Sequence, residues 1–396
     1  MKITPESCRV RVDDLGIACA RSGESLACGR MEATRAFLFA GGGTGGHLFP
    51  GLAIAERLGE LGPVSSRFVC STRDIDRSIL EAERVEFEPI GASPFGVRPR
   101  AAARFLQSWR PAVKAGRASI ARLRESAGEV QVVAMGGFVA APVVAAARAE
   151  RVPVTLVNLD AAPGKANRWI AGRVDRVVTA TPIERPGWEI VGPIVRRQAL
   201  SRGPSQHCRL RLGLDPDRPT LLITGASQGA ASVNGMMLEL VLTKRSAFDG
   251  WQIIHQTGRD DEERVRAAYA RAGVAAEVRA FFREMGEVWG AADLAVTRGG
   301  AGSIAEAWAN RVPSLVLPYP FHRDRHQRLN AEPLARAGGA ILAEDRVDPS
   351  RNAAEAGARL VELLGDGAER SAMRQRLAQM GPTDGADRVA RILLGV

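Results

Sequence analysis

Twice in this chain a short apolar run ends in a glycine-rich turn that opens a helical pattern. The first is 36–40, followed by Gly41-Gly42-Gly43-Thr44-Gly45-Gly46-His47; the second is 220–224, followed by Gly225-Ala226-Ser227-Gln228-Gly229. Five glycines in six residues exceed what a tight turn requires. Glycine lets backbone amides approach a ligand closely, and the helix start beyond offers free N–H groups and a positive dipole end to an anion. Other short apolar runs, at 67–70, 130–134, 154–158, 176–179, 252–255, 294–297 and 314–317, are mostly separated by helical patterns. That alternation predicts an α/β fold with parallel sheets covered on both faces. It breaks once, at 193–204, between Val191-Gly192-Pro193 and Arg202-Gly203-Pro204. The halves on either side are alike. Two doubly wound domains are therefore expected, over 31–195 and 204–384, with an amphipathic helix at 385–396 packing back across the linker. Residues 1–30 lack clear periodicity and read as an extension outside the fold, with Met31 as the candidate start.

At 396 residues, two such domains can each bury a full core. The longest apolar run, from Val132 to Ala147, contains Gly136, Gly137 and Pro142. It falls short of the roughly 20 residues of a spanning helix, and the N-terminus carries no stretch like a signal peptide. The five cysteines, Cys8, Cys19, Cys28, Cys70 and Cys208, form no Cys-x-x-Cys pair and accompany no histidine cluster. This argues against a zinc site or a disulfide framework and fits a reducing cytoplasm. With 54 basic against 44 acidic residues the net charge is +10, which suits a polyanionic partner. No Lys/Arg-rich tail or nucleic-acid-binding motif is present, so an anionic membrane or a phosphorylated substrate fits better than nucleic acid.

Each motif admits more than one reading. Gly41, Gly43 and Gly46 match the dinucleotide fingerprint, but the segment from Phe68 to Arg73 lacks the acidic residue that fingerprint needs. Gly225, Ser227 and Gly229 match a nucleophile elbow, with Asp293 or Asp324 and then His326 in triad order. That hydrolase reading leaves the first half unexplained, whereas phosphate binding explains both turns. Arg298-Gly299-Gly300-Ala301-Gly302 follows the run at 294–297, and Glu306 falls one turn into the next helix. A carboxylate there suits two vicinal hydroxyls, as on a ribose, or simply complements the helix dipole. His326, Gln327 and Asn330 lie within one helical turn and suit sugar hydroxyls or a solvated helix start. The segment 98–124 holds eight basic residues and no acid, with Phe105, Leu106 and Trp109 at near-helical spacing and Pro111 expected to bend the helix. It reads as a membrane-surface helix, or as core-facing aromatics beneath solvated charges.

Together the motifs resemble the MurG family, the UDP-N-acetylglucosamine–N-acetylmuramyl-(pentapeptide) pyrophosphoryl-undecaprenol N-acetylglucosaminyltransferases. The resemblance rests on residues Gly42 to Ala53, Met135-Gly136-Gly137-Phe138, Gly225 to Ala230, His255-Gln256-Thr257-Gly258, Arg298 to Glu306 and Asp324 to Asn330, in the family's order. It implies the GT-B architecture, two Rossmann-like domains flanking a cleft. It also implies inverting, metal-independent and cofactor-free transfer of GlcNAc from UDP-GlcNAc to the lipid-linked acceptor lipid I, at the cytoplasmic face of the plasma membrane. By matched position, Ser227 and Gln228 would hold the donor diphosphate, and Phe282 and Met285 would line the uracil site. Glu306 would bind the ribose, while Ala301, Gly302, Gln327 and Asn330 would face the GlcNAc. Gly43, Thr44, Gly45, Gly46 and His47 would face the acceptor diphosphate, and Arg196 is a further candidate for diphosphate charge. His47 and Asp160 are the two candidates for the base. The sequence departs from the family at Val157-Asn158-Leu159-Asp160, usually His-Glu-Gln-Asn, and at Val191-Gly192-Pro193-Ile194-Val195-Arg196, usually Val-Gly-Asn-Pro-Val-Arg. Both departures lie on or near the acceptor half, so a different lipid or sugar acceptor, or a UDP-GlcNAc-binding protein without turnover, stays open as an alternative.

Overall fold

The computed structural model describes residues 35–43, 45–183, 185–225 and 229–396. The expected extension at 1–30, the candidate start Met31 and the ligand candidates Thr44, Ser227 and Gln228 lie outside the described residues. In the first half, seven strands form one parallel sheet: β1 (Arg35–Ala40), β2 (Val64–Ser71), β3 (Glu86–Ile90), β4 (Glu129–Ala134), β5 (Val154–Asn158), β6 (Arg176–Thr179) and β7 (Trp188–Ile190). Their order is β3-β2-β1-β4-β5-β6-β7. The second half repeats the plan with β8 (Thr220–Thr224), β9 (Gln252–Gln256), β10 (Ala276–Arg279), β11 (Leu294–Thr297), β12 (Ser314–Val316) and β13 (Ala340–Leu342), ordered β10-β9-β8-β11-β12-β13.

The central strands are apolar on both faces because helices cover both faces. Along β1, Phe37 and Phe39 pack with Leu48, Leu52 and Leu58 of the helix Gly45–Leu61. Ala36, Leu38 and Ala40 point the other way, among Ile120, Leu123, Val139 and Val143 of the helices Pro99–Arg124 and Gly137–Ala149. The long apolar run from Val132 is the end of β4 joined to the helix Gly137–Ala149 through Gly136 (φ 95°) and Gly137 (φ 78°). A side chain at Gly136 would place its Cβ 2.6 Å from Asn167 Oδ1, so glycine is required there for space as well as for backbone sign. The helix Pro99–Arg124 runs as one element through Pro111, and its buried residues, Ala112, Gly116, Ser119, Ile120 and Leu123, all lie in its second half.

Both sheets belong to one compact unit, Ala33–Val396. In each, the strand order reverses beside the first strand, between β1 and β4 and between β8 and β11. Open α/β sheets bind ligands at such switch points, outside the carboxyl ends of the strands. Gly41–Gly43 after β1 and Gly225 after β8 begin at that place. The final helix, Gly385–Leu394, puts Ala386, Val389, Ala390 and Leu393 into the first half's core beside Phe37 and Leu48. The chain crosses itself at Gly385, whose N–H donates to the Pro193 carbonyl (3.1 Å) and where a Cβ would lie 2.4 Å from the Gly192 oxygen. Gly385→Ala is expected to cost about 1–3 kcal/mol, the range for forced overpacking, read as a lower denaturation midpoint at unchanged slope.

Candidate active site

The first glycine turn is clamped from beneath. Asp76, fully buried near the start of the helix Asp74–Ala82, accepts from the Gly43 N–H (2.6 Å), the Ser71 N–H (3.0 Å) and the Ser71 hydroxyl (2.6 Å). Arg73 Nη1 donates to the Gly43 carbonyl (2.7 Å). The Gly43 amide is therefore turned to Asp76 rather than to a ligand, which corrects its expected role. Gly45 and Gly46, in the first turn of the helix Gly45–Leu61, keep N–H groups with no intrahelical acceptor. His47 follows in that same turn, half-buried against Gly137, where a Cβ would come 3.3 Å from its Cε1. Its Nδ1 is buried without a hydrogen-bond partner. Burial pulls the imidazole below the ordinary histidine range, against the opposing pull of the Asp160 carboxylate.

Asp160 lies just beyond β5, held by its neighbours. Asn158, fully buried, donates to the Asp160 carbonyl (2.8 Å) and to Thr179 Oγ1 (3.2 Å), and accepts from Asn167 (3.1 Å). The Asp160 side chain reaches the second half: Asn330 Nδ2 donates to Asp160 Oδ1 (2.9 Å) and to the Gly299 carbonyl (3.1 Å), while Asn330 Oδ1 accepts from the Ala161 N–H (2.8 Å). Asn330, expected as a sugar contact, thus bridges the two halves and is 1% exposed.

In the second half, Gly299 and Gln327 meet backbone to backbone: a Cβ at 299 would sit 2.0 Å from the Gln327 carbonyl oxygen. Gln327 Oε1 accepts from the Tyr319 N–H (2.8 Å). Ala301 and Gly302 line an apolar interdomain cleft, opposite Pro50, Leu159 and Ile194 of the first half. Glu306 Oε2 accepts from Trp289 Nε1 (2.8 Å), and burial pushes this carboxyl up to about 7 despite that bond. Arg298 donates to Asp345 (2.5 Å) and to Ser232 (2.7 Å), which anchors the turn it precedes. His255, fully buried between Tyr269 (2.8 Å) and Asn234 (3.0 Å), is a brace, pushed down to about 3 by burial.

Three further expectations change. Arg196 is 7% exposed and bonded to Glu56 (2.7 Å) and Glu83 (2.7 Å), so its charge is spent within the first half and is not offered to a diphosphate. The Phe282 ring is fully buried in the core, and its N–H donates to Gln256 (2.9 Å); it offers no open ring face to a base, while Met285 stays half-buried beside it. Of the three expected membrane residues only Leu106 is well exposed, at 70%. Phe105 and Trp109 belong to a ring chain, Phe95–Phe105 (5.4 Å), Phe105–Trp109 (5.4 Å) and Trp109–Trp169 (5.7 Å). The hydrolase alternative loses Asp293, which sits at the amino ends of β8 and β11, paired with Arg209 (2.6 Å) and the Thr220 N–H (2.8 Å), whereas Gly225 follows the carboxyl end of β8.

Comparison with known proteins agrees with this geometry. The chain matches the glycosyltransferase family 28 N-terminal domain over residues 37–179 and its C-terminal domain over residues 220–388. It is 36% identical over 370 residues to a UDP-N-acetylglucosamine–N-acetylmuramyl-(pentapeptide) pyrophosphoryl-undecaprenol N-acetylglucosamine transferase of Clavibacter sepedonicus, covering 90% of this chain and 95% of that one. It is 32% identical over 381 residues to the protein of the same name from Desulfotalea psychrophila, covering 91% and 97%. The fold is that of the MurG crystal structure from Acinetobacter baumannii, with a TM-score of 0.67 at 24% identity over 91% of this chain and 99% of that one. Relatives matched along nearly their whole length, and both domains of glycosyltransferase family 28 in order, place this chain in the MurG family.

Proposed function

We propose that this protein transfers GlcNAc from UDP-GlcNAc to undecaprenyl-diphospho-N-acetylmuramoyl-pentapeptide, lipid I, giving lipid II for peptidoglycan synthesis. The observation that carries this reading is the cleft between two sheets that each reverse strand order beside their first strand, bridged where Asn330 of the second half meets Asp160 of the first (2.9 Å). The acceptor's 4-hydroxyl oxygen forms the new bond to the anomeric carbon, the bond from that carbon to the diphosphate oxygen breaks, and UDP leaves from the opposite face. The donor half supplies helix-start amides near Ala301 and the turn at 225–229 for the leaving diphosphate. Glu306 takes the ribose hydroxyls. The acceptor half supplies the amides of Gly45 and Gly46, and His47 takes the hydroxyl proton with Asp160 beside it. Incubating the purified protein with labelled UDP-GlcNAc and synthetic lipid I should yield lipid II by mass spectrometry. A second reading, a different lipid acceptor, draws on the departure at Val157–Asp160; lipid II formation in that assay dismisses it.

The enzyme works at the cytoplasmic face of the plasma membrane, as a peripheral protein. No helix among the described residues is long and apolar enough to cross a bilayer. Phe95, Val97 and Leu106 are 59%, 82% and 70% exposed, beside the basic residues Arg98, Arg100 and Arg104. Exposed apolar groups with surrounding cations suit an anionic lipid surface. Replacing Phe95, Val97 and Leu106 with Ser should lower partition onto anionic vesicles by about tenfold or more, with UDP-GlcNAc affinity unchanged. Retained flotation would remove this patch from the membrane surface.

A further inference from the structure

The segment joining β12 to the helix His326–Arg336 carries more recognition chemistry than the donor reading uses. Its inner side is committed: Gln327 holds the Tyr319 N–H (2.8 Å), and Asn330 holds Asp160 (2.9 Å). Its outer side is open. Phe321 is 67% exposed and Tyr319 39%, the two rings meeting edge-on at 5.4 Å. Arg323, Arg325 and Arg328 are exposed, and among the described residues none of their guanidinium groups has an ion-pair or hydrogen-bond partner. This contrasts with the far end of the same helix, where Arg336 pairs with Glu332 (2.6 Å). The segment's own acid, Asp324, is engaged by His326 (2.7 Å). Arg325 has φ 50°, a left-handed conformation uncommon for a residue other than glycine, and its N–H donates to the His322 carbonyl (3.0 Å).

The same segment runs on to Asn330, which holds Asp160 across the cleft (2.9 Å). His322 stacks on His326 at 4.4 Å and feels the charge of Asp160 across the cleft. On a muramyl acceptor, the carbon next to the attacked 4-hydroxyl carries the peptide, through its lactyl ether. With the 4-hydroxyl beside Asp160, as the transferase reading has it, a peptide leaving the neighbouring carbon lies next to this segment. Because it is joined through its amino end, it has no terminal ammonium and keeps its terminal carboxylate, so it is anionic by default.

On the transferase reading above, we propose that Tyr319, Phe321, Arg323, Arg325 and Arg328 dock the peptide of the acceptor, the arginines taking its carboxylate and the two rings covering its backbone. Arginine forks match carboxylates, and rings cover apolar chain at low entropic cost. Asp324 and Asp160 are the like charges that such a peptide must avoid, and both already have donors.

The test compares two acceptors that share lipid and sugar, one bearing the pentapeptide and one bearing none, in detergent. For the Arg323→Gln/Arg325→Gln/Arg328→Gln protein, KM for the pentapeptide acceptor should rise about five- to thirtyfold, with kcat nearly kept. KM for the peptide-free acceptor and the UDP-GlcNAc Kd should not move. A wild-type assay needing no variant is a pentapeptide ending in a carboxamide, which should raise KM in the same direction. An equal rise with both acceptors, or no rise with either, overturns the docking surface. So does loss of flotation on anionic vesicles with KM in detergent unchanged, which would assign the arginines to lipid. Failure of the wild-type protein to transfer GlcNAc to either acceptor condemns the transferase reading itself, a result distinct from these.

Discussion

Replacing His47 with Ala should lower kcat by about 10²–10⁴-fold, the usual worth of a general base, and should leave UDP-GlcNAc affinity alone. Two roles compete for this residue: a cation for the acceptor diphosphate and a base for the sugar hydroxyl. Burial holds the imidazole below the ordinary histidine range, so at neutral pH it is uncharged. An uncharged imidazole is a poor diphosphate clamp and a competent base. The Asp160 carboxylate beside it favours the imidazolium that forms on proton uptake. The sign of the pH dependence follows. Activity should switch on as pH rises through the His47 value, on an acid limb lying below the ordinary histidine midpoint. Asp160→Asn removes the largest of the influences that raise that value, ahead of the Gly42 backbone and Asp76, so its limb should move further toward acid. An Ala variant that raises the acceptor KM at normal kcat would make His47 a binding residue instead.

The second large effect concerns the donor. Glu306→Gln should weaken UDP-GlcNAc by about 1.5–3 kcal/mol at pH 8, the worth of hydrogen bonds to a charged group, or roughly tenfold to beyond a hundredfold. The isosteric amide keeps a partner for Trp289 (2.8 Å), so loss of fold is not the expected cause. In the unliganded protein this carboxyl titrates near 7, raised by burial from 4.5. The folded state therefore holds its proton more tightly than the unfolded chain, and the stability this contributes is lost as pH rises from 4.5 to about 7. Donation by two ribose hydroxyls favours the ionised form, so wild-type affinity should rise as pH passes 7, with proton release. Calorimetry in two buffers of different ionisation enthalpy reads that release. A flat wild-type profile, or a Gln variant of equal affinity, removes Glu306 from the ribose site.

The central strands and the two glycine turns were legible because both signals are local. A strand buried on both faces, such as β5 or β8, is buried at every residue and carries an apolar run not confined to alternate positions. The strands that escaped, β3, β7, β10 and β13, lie at or beside sheet edges. β3 reads Glu86-Phe87-Glu88-Pro89-Ile90, and a proline is tolerated there because one side of the strand has no partner. The supports of the site escaped for another reason. Asp76 lies 33 residues from the Gly43 amide it holds, and Asn330 lies 170 from Asp160. Arg196 was open to a phosphate reading because its partners, Glu56 and Glu83, stand 140 and 113 residues away. Nothing in local spacing reveals such pairs. A sequence search for an acid at the end of β2 misses Asp76, which arrives within the following helix and holds the turn instead of a ribose.

The central claim is that this cleft drives a single displacement between two lobes, with the leaving diphosphate and the attacking hydroxyl on opposite faces of the sugar. The stereochemistry of the product tests it most directly. With UDP-α-GlcNAc as donor and lipid I as acceptor, proton NMR of the isolated disaccharide should show a β-linked GlcNAc at the 4-position. An α-linked product would contradict direct displacement and the roles assigned to both halves of the cleft.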